Sequence, residues 1–223
     1  MTDRPSPAVQ DYLKAAYRLS EGAGSGAITT SRVAEALAVT PASASNMLRR
    51  LDGLGYVEQL GRGEFRLTAP GRAAALEVLR HHRLLETFLV ERVGVPLEDA
   101  HREAEVLEHH LSEELEARIA DLLGHPERDP HGDPIPSVTG HVVPVAGEPL
   151  SQIPVGGRGT VVRVSDRDPG LLRFLAGAGL VPDACVHVLR AAEDGCVSVR
   201  VDDATVEVPP DAAAAVFVAC AEG

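Results

Sequence analysis

The sequence predicts a multidomain α+β protein, helical up to about residue 125 and built of short strands from about residue 155. Three observations predict it. Apolar residues recur at helical spacing over residues 11–20, 29–54, 76–93 and 97–123. Seven of the sixteen prolines then fall within 126–154, which marks a linker. Beyond it the apolar period shortens to two, in GTVVRVSD, ACVHVLRA, CVSVRVDD, ATVEVP and AAVFVAC.

The elements follow in order. Residues 11–20, DYLKAAYRLS, place Leu13, Ala16 and Tyr17 on one face, and EGAGSGA after them is a turn. Residues 29–54 read as a helix-turn-helix. Thr29 or Thr30 caps its first helix, Thr40 caps the second, and Pro41 suits a first helical position. Gly55 stops the second helix, whose outer face carries Ala42, Ser43, Ser45 and Asn46, then Arg49 and Arg50. Small residues let a helix approach a major groove, Ser and Asn read base edges, and Arg holds phosphate. Thr40 opens this set of candidate DNA contacts. Residues 56–60 and 64–67 form a hairpin around Gly61, Arg62 and Gly63, the wing of a winged helix, with Arg62 and Arg66 as phosphate contacts. Pro70 and Gly71 mark the exit.

A helix over 76–93 and another of about 27 residues over 97–123 come next. Their apolar surface exceeds what two helices bury against each other, which predicts a homodimer. The linker carries one short strand at 141–145. Five strands and a short helix over 169–176 make a small barrel of the SH3 type.

The composition bounds the function. The chain has 223 residues, 44% apolar, no Trp and a net charge of −12. Residues 1–75 hold nine Lys/Arg against seven Asp/Glu, and the remainder twelve against twenty-six. A basic head on an acidic body suits phosphate at one end and cations at the other. No apolar run approaches the ~20 residues of a membrane span, and the N-terminus lacks the apolar core of a signal peptide, which predicts a cytoplasmic protein. Cys185, Cys196 and Cys220 show no C-x-x-C spacing and read as reduced thiols, not zinc ligands.

On a continuous 97–123 helix, His101, Glu105, Glu108 and His109 share an arc of roughly 100°. His82 and Glu86 share a face of the preceding helix at i,i+4. Imidazoles and carboxylates from two helices fit a metal site, and they fit solvated His–Glu pairs as well. His81, His110, His125, His131, His141 and His187 read as surface or scattered residues.

QDYLKAAYRL, the winged helix ending LTAPGRAAA, HHRLLETFLV with AHREAEVLEHHLSEELEARI, and DPHGDPIP together resemble the diphtheria-toxin-repressor / manganese-transport-regulator family of metal-dependent repressors. The resemblance spans essentially the whole chain. It implies a winged-helix DNA-binding domain over 1–74, a helical metal-binding and dimerisation domain over 75–125, the linker 126–154, and an SH3-like (FeoA-like) domain over 155–223. It implies two metal positions, one from Asp11, Glu105, Glu108 and His109. The other takes His82, Glu86 and His101, with Asp168 as a further carboxylate and Asp166 next in line. Iron-type members carry Met and Cys at the positions of Asp11 and Glu105. The carboxylates here suit Mn²⁺, with Fe²⁺ as the alternative and Co²⁺ or Zn²⁺ as substitutes in vitro. Lys14 stands where some manganese regulators have a second bridging Glu, which favours two separated sites.

The implied function is a non-enzymatic regulator. Metal orders a homodimer that binds double-stranded operator DNA and represses metal-uptake genes, with no membrane and no organic cofactor. Glu108→Ala is expected to abolish the metal response with the fold intact. A metallohydrolase built on the same His/Glu helices is the rival of another class. It leaves the winged helix unexplained.

Overall fold

The computed structural model describes residues 5–21, 26–166 and 168–220. The chain packs as two units. Met1–His82, Leu107–Ser112 and Pro136–His141 belong to the first; Arg83–Val106, Glu113–Ile135 and Val142–Gly223 belong to the second.

The first unit opens with α1, Pro7–Glu21, whose Val9, Leu13, Ala16 and Tyr17 are buried. The turn expected after it lies largely outside the described residues, at 22–25. β1 (Ile28–Thr29) leads into α2 (Thr30–Ala36), and α3 (Pro41–Gly53) follows. Both caps act as their residue types dictate. The Thr29 hydroxyl accepts from Arg32 N–H and the Thr40 hydroxyl from Ser43 N–H. β2 (Val57–Gly61) and β3 (Glu64–Leu67) form the wing hairpin, and β1 adds to it in the order β1-β3-β2. Val33, Ala44, Leu48, Leu51, Val57 and Phe65 are buried in this unit.

α4 spans Ala69–Phe88 and carries the boundary between the units. It begins seven residues before the apolar period that predicts it, because Pro70 and Gly71 belong to its first turn. Pro is at home there, and the Thr68 hydroxyl accepts the Gly71 N–H at 3.2 Å. Gly71 is needed for room, since a Cβ on it would lie 1.8 Å from the Tyr56 carbonyl oxygen. A wider π turn, Leu89–Val93, finishes the helix against Gly94 at φ +83°.

The single helix expected over 97–123 is two. α5 covers Leu97–Leu107, a 3₁₀ turn covers Glu108–His110, Leu111 is extended at ψ 121°, and α6 covers Glu113–Leu123. The Glu108 and His109 side chains are held by α1 and α4, which tightens the backbone there. Ser112 followed by Glu113, Glu114 and Glu116 is a helix start that the continuous apolar period conceals.

The second unit is dominated by a six-stranded antiparallel sheet in the order β4-β9-β5-β6-β7-β8. Its strands are β4 (Glu148–Pro149), β5 (Arg158–Val164), β6 (Cys185–Ala191), β7 (Val197–Val201), β8 (Ala204–Val208) and β9 (Val216–Cys220). Val161, Val186, Val188, Val199, Val201 and Val218 share one core with Leu172 and Leu175 of α7 (Pro169–Gly177) and Ala212 and Ala213 of α8 (Pro210–Ala215). The sheet is open, not the closed barrel expected. β4 is two residues long and ends on Pro149, which has no N–H to extend a ladder, so β4 and β8 remain edges. No strand forms at 141–145; the pairing moves to Glu148 and Pro149 on β9. Among the described residues no helix is long and apolar enough to cross a membrane.

Candidate metal centre and nucleic-acid interface

α1 presents Gln10, Asp11 and Lys14 on one face, and the first unit brings the Glu108–His110 turn against it. His109 Nε2 lies 3.0 Å from Asp11 Oδ1 and 3.8 Å from Glu108 Oε1. On the other side of the ring, His109 Nδ1 is 2.7 Å from Gln10 Oε1. The Gln10 amide is itself oriented, because its Nε2 donates to the Pro5 carbonyl at 2.8 Å. Nδ1 must therefore donate, which turns Nε2 toward two carboxylates. A metal-ligating imidazole is oriented in this way, with an outer partner fixing the ring. Gln10 is buried, and its role was not apparent from spacing.

Glu108 is fully buried. Its Oε1 accepts from Lys14 Nζ at 2.6 Å and its Oε2 from His82 Nδ1 at 2.5 Å. A buried carboxylate requires such partners, because desolvating a lone charge costs several kcal/mol. His82, expected beside Glu86 and His101, thus has its Nδ1 on Glu108.

In the second unit His101 is the hub. Its Nδ1 lies 3.0 Å from Glu86 Oε1 and 3.5 Å from Asp166 Oδ2, and its Nε2 lies 3.6 Å from Glu105 Oε1. Asp168 serves elsewhere. Its Oδ1 caps α7, accepting from Gly170 N–H at 2.8 Å and Leu171 N–H at 3.3 Å. Of Asp166 and Asp168, the one near His101 is Asp166. Glu105 lies by His101, and Asp11, Glu108 and His109 form a group within ligand distance.

Asp129 and His131 join Glu86 in a wholly buried group. They lie in the segment read as linker. His131 Nδ1 is 3.9 Å from Glu86 Oε2, and among the described residues neither ring nitrogen has a hydrogen-bond partner. An orphaned buried imidazole facing a carboxylate is the environment a cation would satisfy. Burial, and then the Glu86 and Asp133 charges, push the Asp129 carboxyl well above its usual range, against the lowering effect of Arg83 and a backbone N–H. Arg83 Nε lies 3.5 Å from Asp129 Oδ2. The turn closes on Gly132 at φ +90°, where a Cβ would lie 2.1 Å from the Val162 carbonyl oxygen. Two Asp, Pro and Gly around a His signal a tight turn but not its burial. His81, expected at the surface, is also buried; α4 is covered on more than one face. His110 is exposed, as expected.

The donor set in both groups is imidazole and carboxylate, and the three cysteines lie in the C-terminal sheet region. The residues fit a hard divalent cation.

On the winged helix, Thr40, Ala42, Ser43, Asn46, Arg49, Arg50 and Arg62 are exposed and Ser45 is half-buried. Arg49 Nη2 donates to Asn46 Oδ1 at 2.8 Å, which orients that amide. Arg66 is held by Glu58 Oε1 at 2.6 Å. Arg50 and Arg62 form no ion pair among the described residues, which leaves them disposed to meet phosphate.

Family models match along the chain. "Iron dependent repressor, N-terminal DNA binding domain" matches residues 6–63 and "Iron dependent repressor, metal binding and dimerisation domain" matches 68–137. "FeoA domain" matches 148–220. The iron-dependent repressor IdeR of Mycobacterium tuberculosis (strain ATCC 25618 / H37Rv) is 33% identical over 221 residues, 93% of this chain and 94% of that protein. The HTH-type transcriptional regulator MntR of Oceanobacillus iheyensis is 36% identical over 121 residues, 54% of this chain and 80% of that protein. A solved manganese-dependent transcriptional repressor in complex with manganese superposes with a TM-score of 0.87 at 41% identity, covering 96% of this chain and 100% of that one. ScaR with bound Cd²⁺ superposes with a TM-score of 0.79 at 29% identity, covering 95% and 98%.

Proposed function

Because the chain belongs to the iron-dependent-repressor family of metal-dependent transcriptional repressors, with IdeR and MntR among its relatives, we propose that its metal is Mn²⁺ and that Asp11, Glu108 and His109 form the site that controls DNA binding. The carrying observation is the His109 ring. Gln10 fixes its Nδ1 as a donor and turns Nε2 toward the Asp11 and Glu108 carboxylates. Glu86, His101 and Asp166, with Asp129 and His131, are the second set.

A divalent cation would add positive charge beside the Asp11 and Glu108 carboxylates. Asp11 holds α1, which packs on α2 and α3, and Glu108 with His109 hold the turn between α5 and α6. Drawing these together fixes the recognition helix α3 relative to that turn. In a homodimer this sets the separation of two α3 helices, which must match half-sites about one DNA turn apart. Metal thereby favours the DNA-competent arrangement by binding it better. Exposed Val93, Val106, Leu115 and Leu122 support an apolar dimer surface in the second unit.

The imidazole and carboxylate donors of both described groups favour Mn²⁺ over softer metals. The IdeR relationship favours Fe²⁺ as the second reading. Titrating binding to a duplex, selected by the protein from a random pool, across Mn²⁺, Fe²⁺, Co²⁺ and Zn²⁺ separates the two. Tight binding at lower free Fe²⁺ than free Mn²⁺ would assign iron.

A further inference from the structure

In the first unit an ammonium is already seated on Glu108. Lys14 is 4% exposed, projects from the middle of α1, and its Nζ lies 2.6 Å from Glu108 Oε1. That oxygen is the one facing His109, whose Nε2 is 3.8 Å away; the other oxygen is held by His82. The ammonium thus sits on the oxygen through which Glu108 would reach a metal shared with Asp11 and His109. We propose that Lys14 is a built-in competitor of the metal: it neutralises Glu108 in the metal-free protein, and must give up Oε1 for the site to fill.

This deepens the reading of Asp11, Glu108 and His109 as a metal site and rests on it. With Lys14 in place, its ammonium already offsets the Glu108 charge. A divalent ion arriving there meets an ammonium a few ångströms away in a buried, weakly screened setting. Lys14 therefore lowers metal affinity while it stabilises the empty site. The result is a threshold: the repressor responds only when free metal is high enough to displace the internal cation. Asp11, Glu108 and His109 would ligate at much lower metal concentrations without it. The same contact keeps α1 joined to the 108–110 turn when metal is scarce.

The test uses the full chain, with free Mn²⁺ read by electron paramagnetic resonance during titration and thermal unfolding followed in chelator. Lys14→Met, Lys14→Gln and Glu108→Gln are compared with wild type, and each Lys14 variant is also combined with Glu108→Gln; Lys14→Gln keeps a hydrogen-bond donor for Glu108 without the charge. The expected result is a rise in affinity for one Mn²⁺ on the order of tenfold or more in both Lys14 variants. Their metal-free melting temperature falls, and Mn²⁺ raises it by more than in wild type. Adding Glu108→Gln removes the affinity gain. Equal or weaker Mn²⁺ binding in a folded Lys14 variant overturns the competitor role and makes Lys14 a group that positions Glu108. Unchanged Mn²⁺ binding in Glu108→Gln alone defeats the site reading instead, so the two failures are told apart.

Discussion

Replacing Glu108 tests the site at its most buried point. The side chain is fully buried and accepts at 2.6 Å from Lys14 and 2.5 Å from His82. Glu108→Ala removes both acceptors and leaves Lys14, itself 4% exposed, with an uncompensated charge. Breaking a buried pair this way costs about 3–5 kcal/mol, a large part of a typical domain's stability. This geometry argues against the expectation that Glu108→Ala leaves the fold intact, and that variant does not isolate the metal response. Glu108→Gln is the informative change. It keeps an amide oxygen for Lys14 and loses one charge-assisted bond, at a cost of about 1.5–3 kcal/mol. Metal affinity should fall beyond the ~10–100-fold typical of losing an outer partner, because an anionic ligand itself is gone. Thermal unfolding in chelator separates the two effects, and Mn²⁺-dependent DNA binding by fluorescence anisotropy reads the second. A folded Glu108→Gln protein whose DNA binding still responds to Mn²⁺ as wild type does would refute the reasoning.

Two paired substitutions follow from the same geometry. Asp168→Ala should cost roughly 1 kcal/mol through loss of the α7 cap without changing Mn²⁺ stoichiometry, whereas Asp166→Asn should weaken one Mn²⁺. Calorimetric titration of both variants checks this, and the opposite pattern would return the ligand role to Asp168. Asn46→Ala should relax sequence discrimination, while Arg50→Ala should weaken binding to all duplexes alike and flatten the salt dependence. Competition between selected and random duplexes at several salt concentrations distinguishes them.

How far the molecule is legible in its sequence differs by element. The winged helix is legible because its signals are local: Thr29 and Thr40 cap, Pro41 starts a helix, and Gly61 and Gly63 flank a hairpin tip. α4 begins early because Pro70 and Gly71 act through a contact with Tyr56 that no local pattern reveals. The α5–α6 break is hidden by apolar residues that keep helical period through it. Asp11, Glu86, His101, Glu108 and His109 become candidates from spacing and resemblance, since residues four apart share a helix face. Asp129 and His131 are not, because burial of a Pro- and Gly-rich turn is decided by tertiary packing at Gly132. Between Asp166 and Asp168 the sequence offers two carboxylates two residues apart. Only the backbone entering α7 shows which of them caps the helix.

The most direct test of a metal-controlled repressor is DNA affinity of the chelator-treated protein as Mn²⁺ is restored, on a duplex selected from a random pool. Weak, salt-sensitive binding without metal should give way to tight, sequence-discriminating binding that saturates with Mn²⁺. Equal affinity and equal discrimination with and without metal would contradict it.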